Sequence, residues 1–99
     1  MSDFSRLLEE DRRLVILRLL AEAPDYRGNS YLLQSALDGF GHAVGLDRLV
    51  QDLAWLDEQG LVRIESVGAV TIATLTARGN DVATGRSRVP GVKRPAPEA

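Results

Sequence analysis

The sequence predicts a mainly α-helical domain that carries a small β-hairpin, which is an α+β fold. Apolar residues recur at helical spacing in three long stretches, and glycine or proline stands where each stretch stops. Two runs rich in β-branched residues, 61–66 and 69–75, are separated only by Val67 and Gly68. This arrangement indicates two strands joined by a tight turn.

Composition narrows the class of protein. The 99 residues, 44% of them hydrophobic, suffice for one small domain with a single core. The lack of cysteine excludes disulfides, zinc–thiolate sites and thiol catalysis. The sequence shows neither an apolar run long enough to span a membrane nor a signal-peptide pattern. We therefore expect a cytoplasmic protein that does not engage a membrane.

Charge is distributed unevenly along the chain. Residues 1–79 contain eight arginines and twelve acidic residues and carry −4, whereas residues 80–99 contain four basic and two acidic residues and carry +2. A nucleic-acid binder usually presents a basic surface, because phosphate contacts supply most of its non-specific affinity. The acidic body therefore counts against strong DNA binding by the body alone.

The first predicted helix spans residues 3–23 and is ended by Pro24. Within it, residues 14–21 are apolar on nearly every side and are interrupted only by Arg18. A helix that buries one face keeps a polar stripe on the other. We therefore predict two buried faces, one against the core and one against a second copy of the chain. The candidate residues of this homodimer interface are Leu14, Leu17 and Leu20.

Two further helices are predicted before the strands. The second spans residues 30–38 and is capped by Asn29 or Ser30. The third spans residues 46–59 and ends at Gly60, because glycine readily adopts the left-handed conformation that follows a helix. The segment between these two helices contains Gly39, Gly41 and Gly45, which indicates a turn.

A short fourth helix over residues 77–84 follows the strands, with Thr76 as its N-cap and Gly85 at its end. The segment after it is basic and contains three of the four prolines. We therefore predict two parts of the chain, a folded domain over residues 1–85 and a C-terminal tail over residues 86–99. The tail is expected to be extended and to be ordered only where it docks on a surface.

This order of helices and strands is that of a winged helix-turn-helix domain. The segment LDEQGLV, where the third helix runs into a strand, is its most specific part, and LTARG after the second strand adds to it. The span 1–85 resembles winged-helix transcriptional regulators of the broad ArsR and MarR kind. A closer resemblance, through DLAWLDEQGLV, ATLTARGNDVATGR and VPGVKRPAP, is to a family of small proteins of Mu-like phages and prophages that are often described as ArsR-like.

The resemblance implies a phage or prophage protein acting in a bacterial host cell, a winged-helix fold and DNA binding. Metal-sensing ArsR proteins use cysteine ligands, which this chain lacks, and His42 is its only imidazole. We therefore expect neither a metal site nor a cofactor. The sequence carries no phosphate-binding loop or nucleophile motif, and its adjacent carboxylates do not converge on one helix face, so we expect no enzymatic activity.

The third helix is the candidate recognition helix, since in winged-helix regulators this helix enters the major groove. Its side opposite the apolar residues carries an arginine and a glutamine, which suit guanine and adenine edges respectively. A solvated helix face is the simpler alternative for both, and a surface ion pair is the alternative for the strand arginine. The candidate DNA-binding residues are Arg48 and Gln51 toward bases and Arg63, Arg86 and Arg88 toward phosphates.

Trp55, the only tryptophan, falls on the polar side of the third helix together with Asp52. A tryptophan is costly to expose and often anchors an interface. Three positions are open for it: packed under the tail or the first helix, in contact with a partner protein or a second copy, or stacked on nucleic acid. It joins the leucines of the first helix as a candidate protein-interface residue.

Two functions are compatible with these observations. The first is a homodimeric winged-helix protein that binds double-stranded DNA as a phage or prophage transcriptional regulator. The second is a winged-helix interaction module without direct DNA readout, such as an assembly or DNA-packaging accessory that binds another phage protein. The order of helices favours the first, whereas the acidic third helix and a short turn without a basic residue favour the second.

Overall fold

The computed structural model describes residues 2–97, which form four α-helices and one three-stranded antiparallel sheet. The helices are α1 (Asp3–Glu22), α2 (Ser30–Gly39), α3 (Leu46–Glu58) and α4 (Ala77–Ala83). The strands are β1 (Arg27–Asn29), β2 (Val62–Val67) and β3 (Val70–Leu75), and their order in the sheet is β1-β3-β2. The predicted α+β architecture is confirmed.

The helices begin where the sequence places capping side chains. The side-chain oxygens of Ser2, Asn29 and Thr76 accept hydrogen bonds from backbone N–H groups of the first turns of α1, α2 and α4, at 3.0, 2.9 and 2.9 Å. Each bond satisfies a donor that a helix leaves free at its start. Thr76 is therefore confirmed as the N-cap of α4. Asn29, one of the two residues predicted to cap α2, is confirmed as well.

The end of α3 is a Schellman motif. The N–H of Leu61 donates to Leu56 O and the N–H of Gly60 donates to Asp57 O, each at 2.9 Å. Gly60 has a φ of 74°, the left-handed conformation that this motif requires and that glycine adopts without strain. The chain leaves α3 in a fixed direction and enters β2 directly, so α3 and the hairpin form one continuous unit.

The core surrounds α1, which contacts α2, α4 and β3. Leu14 is 3% exposed, and Leu17 and Leu20 are 0% exposed. The prediction that these three leucines face a second copy of the chain is therefore wrong. The second apolar face of α1 is covered by other elements of the same chain, so an apolar helix here needs no partner to bury it.

Strand β1 was not predicted from the sequence. Its three residues pair with Ile72–Thr74 of β3, at the edge opposite β2. A 3-10 turn over Pro24–Tyr26 brings the chain from α1 to this edge. A Cβ on Gly28 would lie 3.2 Å from Leu20 Cδ2, so glycine lets the strand backbone approach the core closely.

The tail, described as far as residue 97, turns back and packs on its own domain. Val89 is buried and Val92 is partly buried against the core, and the N–H of Lys93 donates to Glu10 O at 3.1 Å. The surface that orders the tail is thus the domain itself. Within residues 2–97, no helix combines the length and the apolar character needed to cross a membrane.

Candidate nucleic-acid interface

The exposed face of α3 is acidic. Its exposed side chains are Asp47, Arg48, Gln51, Asp57 and Glu58, which comprise three carboxylates against one guanidinium. Phosphates repel such a face unless cations elsewhere on the protein offset it. A helix with an exposed face has a shape that fits the major groove of DNA. The charge of this face, however, does not favour binding there.

Arg48 and Gln51 lie on this exposed face, one turn apart. The side chain of Arg48 is 54% exposed, and its Nη1 lies 3.8 Å from Glu9 Oε2, a distance at the outer limit of an ion pair. An exposed pair of this kind contributes little to stability, so the guanidinium can leave Glu9 at small cost. Both side chains are accessible, and contact with bases stays a prediction for each.

Asp52 does not face solvent, which corrects the prediction for the polar side of the third helix. Its carboxylate is 2% exposed and accepts hydrogen bonds from Nε and Nη2 of Arg12, the second at 3.3 Å. The Nε of Arg13 lies 3.7 Å from the same carboxylate. Two arginines of α1 therefore hold α3 by a buried ion pair on the flank that the helical pattern marks as polar.

Trp55 is partly buried between α1 and the tail, the first of the three positions left open. The guanidinium carbon of Arg13 lies 3.9 Å from the centre of the Trp55 ring, which is a cation–π contact. Next to this contact, a Cβ built on Gly91 would lie 2.7 Å from Cη2 and Cζ2 of the indole and 3.2 Å from Arg13 Nη1. The tail backbone therefore packs directly against the ring and covers part of the surface that Trp55 would otherwise offer to another protein.

A second contact ties the tail to α1 through Asp11. His42, 5% exposed, donates from Nε2 to Asp11 Oδ2 at 2.7 Å, and Lys93 Nζ donates to Asp11 Oδ1 at 3.3 Å. Partial burial raises the pKa of Asp11. The hydrogen bonds and charges of His42 and Lys93 together lower it by more, so the pKa lies below its ordinary value. Within residues 2–97, no three His, Asp or Glu side chains are grouped so that they could hold a metal ion.

Arg63 is exposed on the outer face of the sheet, opposite Thr74 of β3. The alternative of a surface pair with Glu65 is not what the structure shows, because Glu65 accepts from Arg27 of β1 at 2.8 Å instead. Among the described residues, Arg63 has no ion-pair partner. The turn beyond it holds an exposed valine and a glycine, Val67 and Gly68, and no cation.

Arg86 and Arg88 are exposed in the tail, well separated along the chain from Arg63. Arg88 lines a surface concavity of about 600 Å³, together with Lys93, Arg94 and Glu10. The predicted site residues therefore occupy three places: the face of α3, the outer face of the sheet, and the tail. The prediction omitted Arg94, although its place in the basic segment VKRP was a usable signal.

Comparison of sequences identifies two relatives. The chain is 50% identical over 93 residues to a protein of Escherichia phage Mu described as "Uncharacterized protein gp26", an overlap that covers 94% of this chain and 96% of that one. It is 36% identical to a Haemophilus influenzae protein described as "Uncharacterized protein", across 88% of this chain and 90% of that one. No protein-family model matches the sequence.

Comparison of structures identifies winged-helix neighbours. One is Sco3205, a MarR family transcriptional regulator from Streptomyces coelicolor in complex with DNA, with a TM-score of 0.62, 28% identity and 88% of this chain covered. Another is the complex structure of hsRosR-S1, with a TM-score of 0.59, 23% identity and 82% covered. The chain spans 60% and 64% of the length of these two proteins.

These comparisons confirm the predicted winged helix-turn-helix fold and the predicted resemblance to proteins of Mu-like phages. None of the four proteins is described as ArsR-like, so that part of the resemblance stays a prediction. With half of its residues identical along nearly the whole length of both chains, the protein belongs to the family of the phage Mu protein gp26.

Proposed function

We propose that the protein is a DNA-binding transcriptional regulator of a Mu-like phage or prophage. The observation that carries the proposal is the structural similarity to Sco3205, a transcriptional regulator whose structure contains DNA, at a TM-score of 0.62. The exposed face of α3 is the surface that would enter the major groove. Arg48 would contact guanine and Gln51 adenine, because both are accessible and lie on that face.

Phosphate contacts must come from outside α3, since α3 exposes more acidic than basic side chains. Arg63 on the sheet and Arg86 and Arg88 in the tail are exposed and supply such cations. Each phosphate neutralised contributes a slope of about −0.9 to the dependence of log K on log salt. Three arginines therefore predict a slope of about −3 for each protomer in contact with DNA, and of about −5 for a homodimer that binds with both protomers.

Fluorescence anisotropy with phage promoter duplexes and with bulk duplex DNA, over roughly 50–200 mM salt, tests the proposal. Arg48→Ala should weaken binding to the preferred duplex by about 1–3 kcal/mol, because a good arginine–guanine pair contributes that much discrimination. Arg6→Ala is the matched control, since Arg6 is 62% exposed on α1 and already paired with Asp3 at 2.7 Å. Absence of binding to every duplex at the lowest salt refutes the proposal.

The regulator is proposed to act as a homodimer, through a surface different from the buried leucines. Phe4, Leu7 and Leu8 occupy one side of the first two turns of α1 and are 68%, 60% and 39% exposed. A pair of such stripes related by a two-fold axis buries both, whereas a non-closing contact would build an open chain of copies. Sedimentation should show a dimer that Leu7→Glu converts to folded monomer, and a wild-type monomer at micromolar concentration contradicts this.

One observation favours the second candidate, a protein-interaction module: the exposed face of α3 carries an excess of carboxylates. Such a face complements a basic protein surface. Glu58→Lys separates the two functions, because Glu58 is exposed and reversing its charge leaves the core untouched. If α3 approaches DNA, the variant should bind duplex more tightly at low salt. If α3 binds a basic protein, DNA affinity should not change.

A further inference from the structure

The tail is held to the domain by a compact set of contacts around Trp55. Arg13 stacks on the indole and also donates from Nη1 to Gly91 O at 3.0 Å. Gly91 packs against the six-membered ring of the same indole, so one arginine and one glycine fix the tail against α1 and α3. We refer to Arg13, Trp55 and Gly91 as the latch.

Glycine is required at the latch for two independent reasons. Its φ of 100° lies in the region that residues with a Cβ avoid, and a Cβ there would meet the indole at 2.7 Å. The N–H of Val92 donates to Val89 O at 3.1 Å, which closes the turn around Gly91. The course of the tail is therefore set by this turn and by the ring beneath it.

The turn forms one wall of the concavity of about 600 Å³, whose lining includes the cationic side chains of Arg88, Lys93 and Arg94. Lys93 is engaged by Asp11, whereas Arg88 and Arg94 are exposed and have no ion-pair partner among residues 2–97. Glu10 is the acidic side chain at the same concavity. The two arginines outweigh it, so the concavity attracts an anion rather than a cation.

The latch also sets where these arginines stand relative to α3. Trp55 follows Arg48 by seven residues, which is two helical turns along the same flank. The tail therefore meets α3 at the border of its exposed face, where Gly91 contacts Trp55, and the concavity next to this contact is lined by Glu10 of α1 and Val82 of α4. The sugar–phosphate backbone of a duplex lying on that face would pass beside the tail.

We infer that the docked tail is a preorganised phosphate-binding element, in which Arg88 and Arg94 bind the DNA backbone beside α3 and the latch holds them in position. This inference rests on the proposed DNA binding. A free basic segment loses conformational freedom when it binds, and that loss lowers its affinity. A docked segment has already lost that freedom on folding, so its arginines bind phosphate with a smaller further loss of conformational freedom.

The inference separates the charge of the tail from its position. Replacing Arg88 and Arg94 together with alanine removes two phosphate contacts per protomer and should reduce the magnitude of the salt slope by about 2 for each protomer in contact with DNA. Gly91→Ala removes no charge but forces the tail off Trp55, and it should weaken duplex binding about tenfold. Gly41→Ala is the matched control, since Gly41 has a φ of 83° and nothing within 4 Å of an added Cβ.

The only tryptophan reports the latch directly. Its emission should shift to longer wavelength in Gly91→Ala and stay unchanged in Gly41→Ala, while circular dichroism of both variants retains the helical signal. Arg13→Met is a second latch variant: it keeps an aliphatic cover on the indole but loses the hydrogen bond to Gly91 O. It also loses the ion pairs with Glu9 and Asp52, so its free energy of unfolding is measured together with its affinity. It should also weaken duplex binding without changing the charge of the tail.

The outcomes distinguish this inference from the proposed function. If wild-type protein binds duplex and the double alanine variant binds with the same salt slope, the inference is overturned and the proposed function stands. If the tryptophan emission shifts but affinity is unchanged in both latch variants, the arginines do not depend on docking and the inference is overturned. If wild-type protein binds no duplex, both fail. Parallel loss of affinity and of the buried tryptophan signal supports the inference.

Discussion

Removal of the Asp52 carboxylate should destabilise the domain severely. Asp52 is 2% exposed and Arg12 is 6% exposed, so Asp52→Ala leaves a buried guanidinium without its carboxylate. Breaking a buried ion pair by removing one partner costs about 3–5 kcal/mol. A domain of this size has a total stability of about 5–15 kcal/mol, so the variant loses a large part of it.

Urea denaturation followed by circular dichroism measures this change. A loss of about 3–5 kcal/mol should lower the melting temperature by roughly 12–40 °C, at about 4–8 °C per kcal/mol for a domain this small. Asp57→Ala is the control on the same helix, because Asp57 is exposed, and its effect should stay within about 0.5 kcal/mol. An Asp52→Ala loss below about 1 kcal/mol refutes the reasoning. Arg12→Met combined with Asp52→Leu removes both charges and should be close to neutral.

Two further predictions concern the tail and the fourth helix. The folded-state pKa of Asp11 lies below its ordinary value of 3.8. The contribution of Asp11 to stability is therefore complete above pH 3.8 and is lost as pH falls through the lowered pKa. Acid titration of the tryptophan emission should show the tail leaving its site below pH 3.8, and Asp11→Asn should abolish that step. Gly79→Ala should destabilise by about 1–3 kcal/mol in thermal melts, despite a better helix propensity. Its Cβ would lie 1.9 Å from Leu61 O, whereas Gly39→Ala, with nothing within 4 Å, should not destabilise.

The sequence was sufficient to locate the helices and the hairpin. Their ends depend on local chemistry: a side-chain oxygen before α2 and α4 and a left-handed glycine after α3. Strand β1 could not be predicted, because the residues Arg27–Asn29 have little strand propensity and pair only through the edge that β3 provides. A strand that exists through tertiary pairing leaves no periodic pattern in the sequence.

The candidate site was less predictable because its main contacts join distant parts of the chain. The helical pattern of α3 identifies one buried face, and on that basis Asp52 and Trp55 belong to the polar side. They are covered by Arg12 and Arg13, about 40 residues earlier, and by Gly91. A local pattern does not distinguish a solvated side chain from one that meets a complementary charge on another helix.

Thr76 links three elements through one hydroxyl group. Its Oγ1 lies 2.8 Å from Gly60 O and 2.9 Å from Leu61 O, so the hydroxyl proton is shared between the two carbonyls after α3. The same Oγ1 accepts a hydrogen bond from the N–H of Gly79 at the start of α4. The backbone N–H of Thr76 donates to Leu61 O at 3.1 Å, one step beyond the last pair of the hairpin.

The base of the hairpin is thus held by hydrogen bonds where it meets the end of α3. We expect a displacement of the hairpin tip, near Gly68, to be transmitted to α3 through these bonds. Contact at either end of this unit would then reorient the other end without any change in the fold.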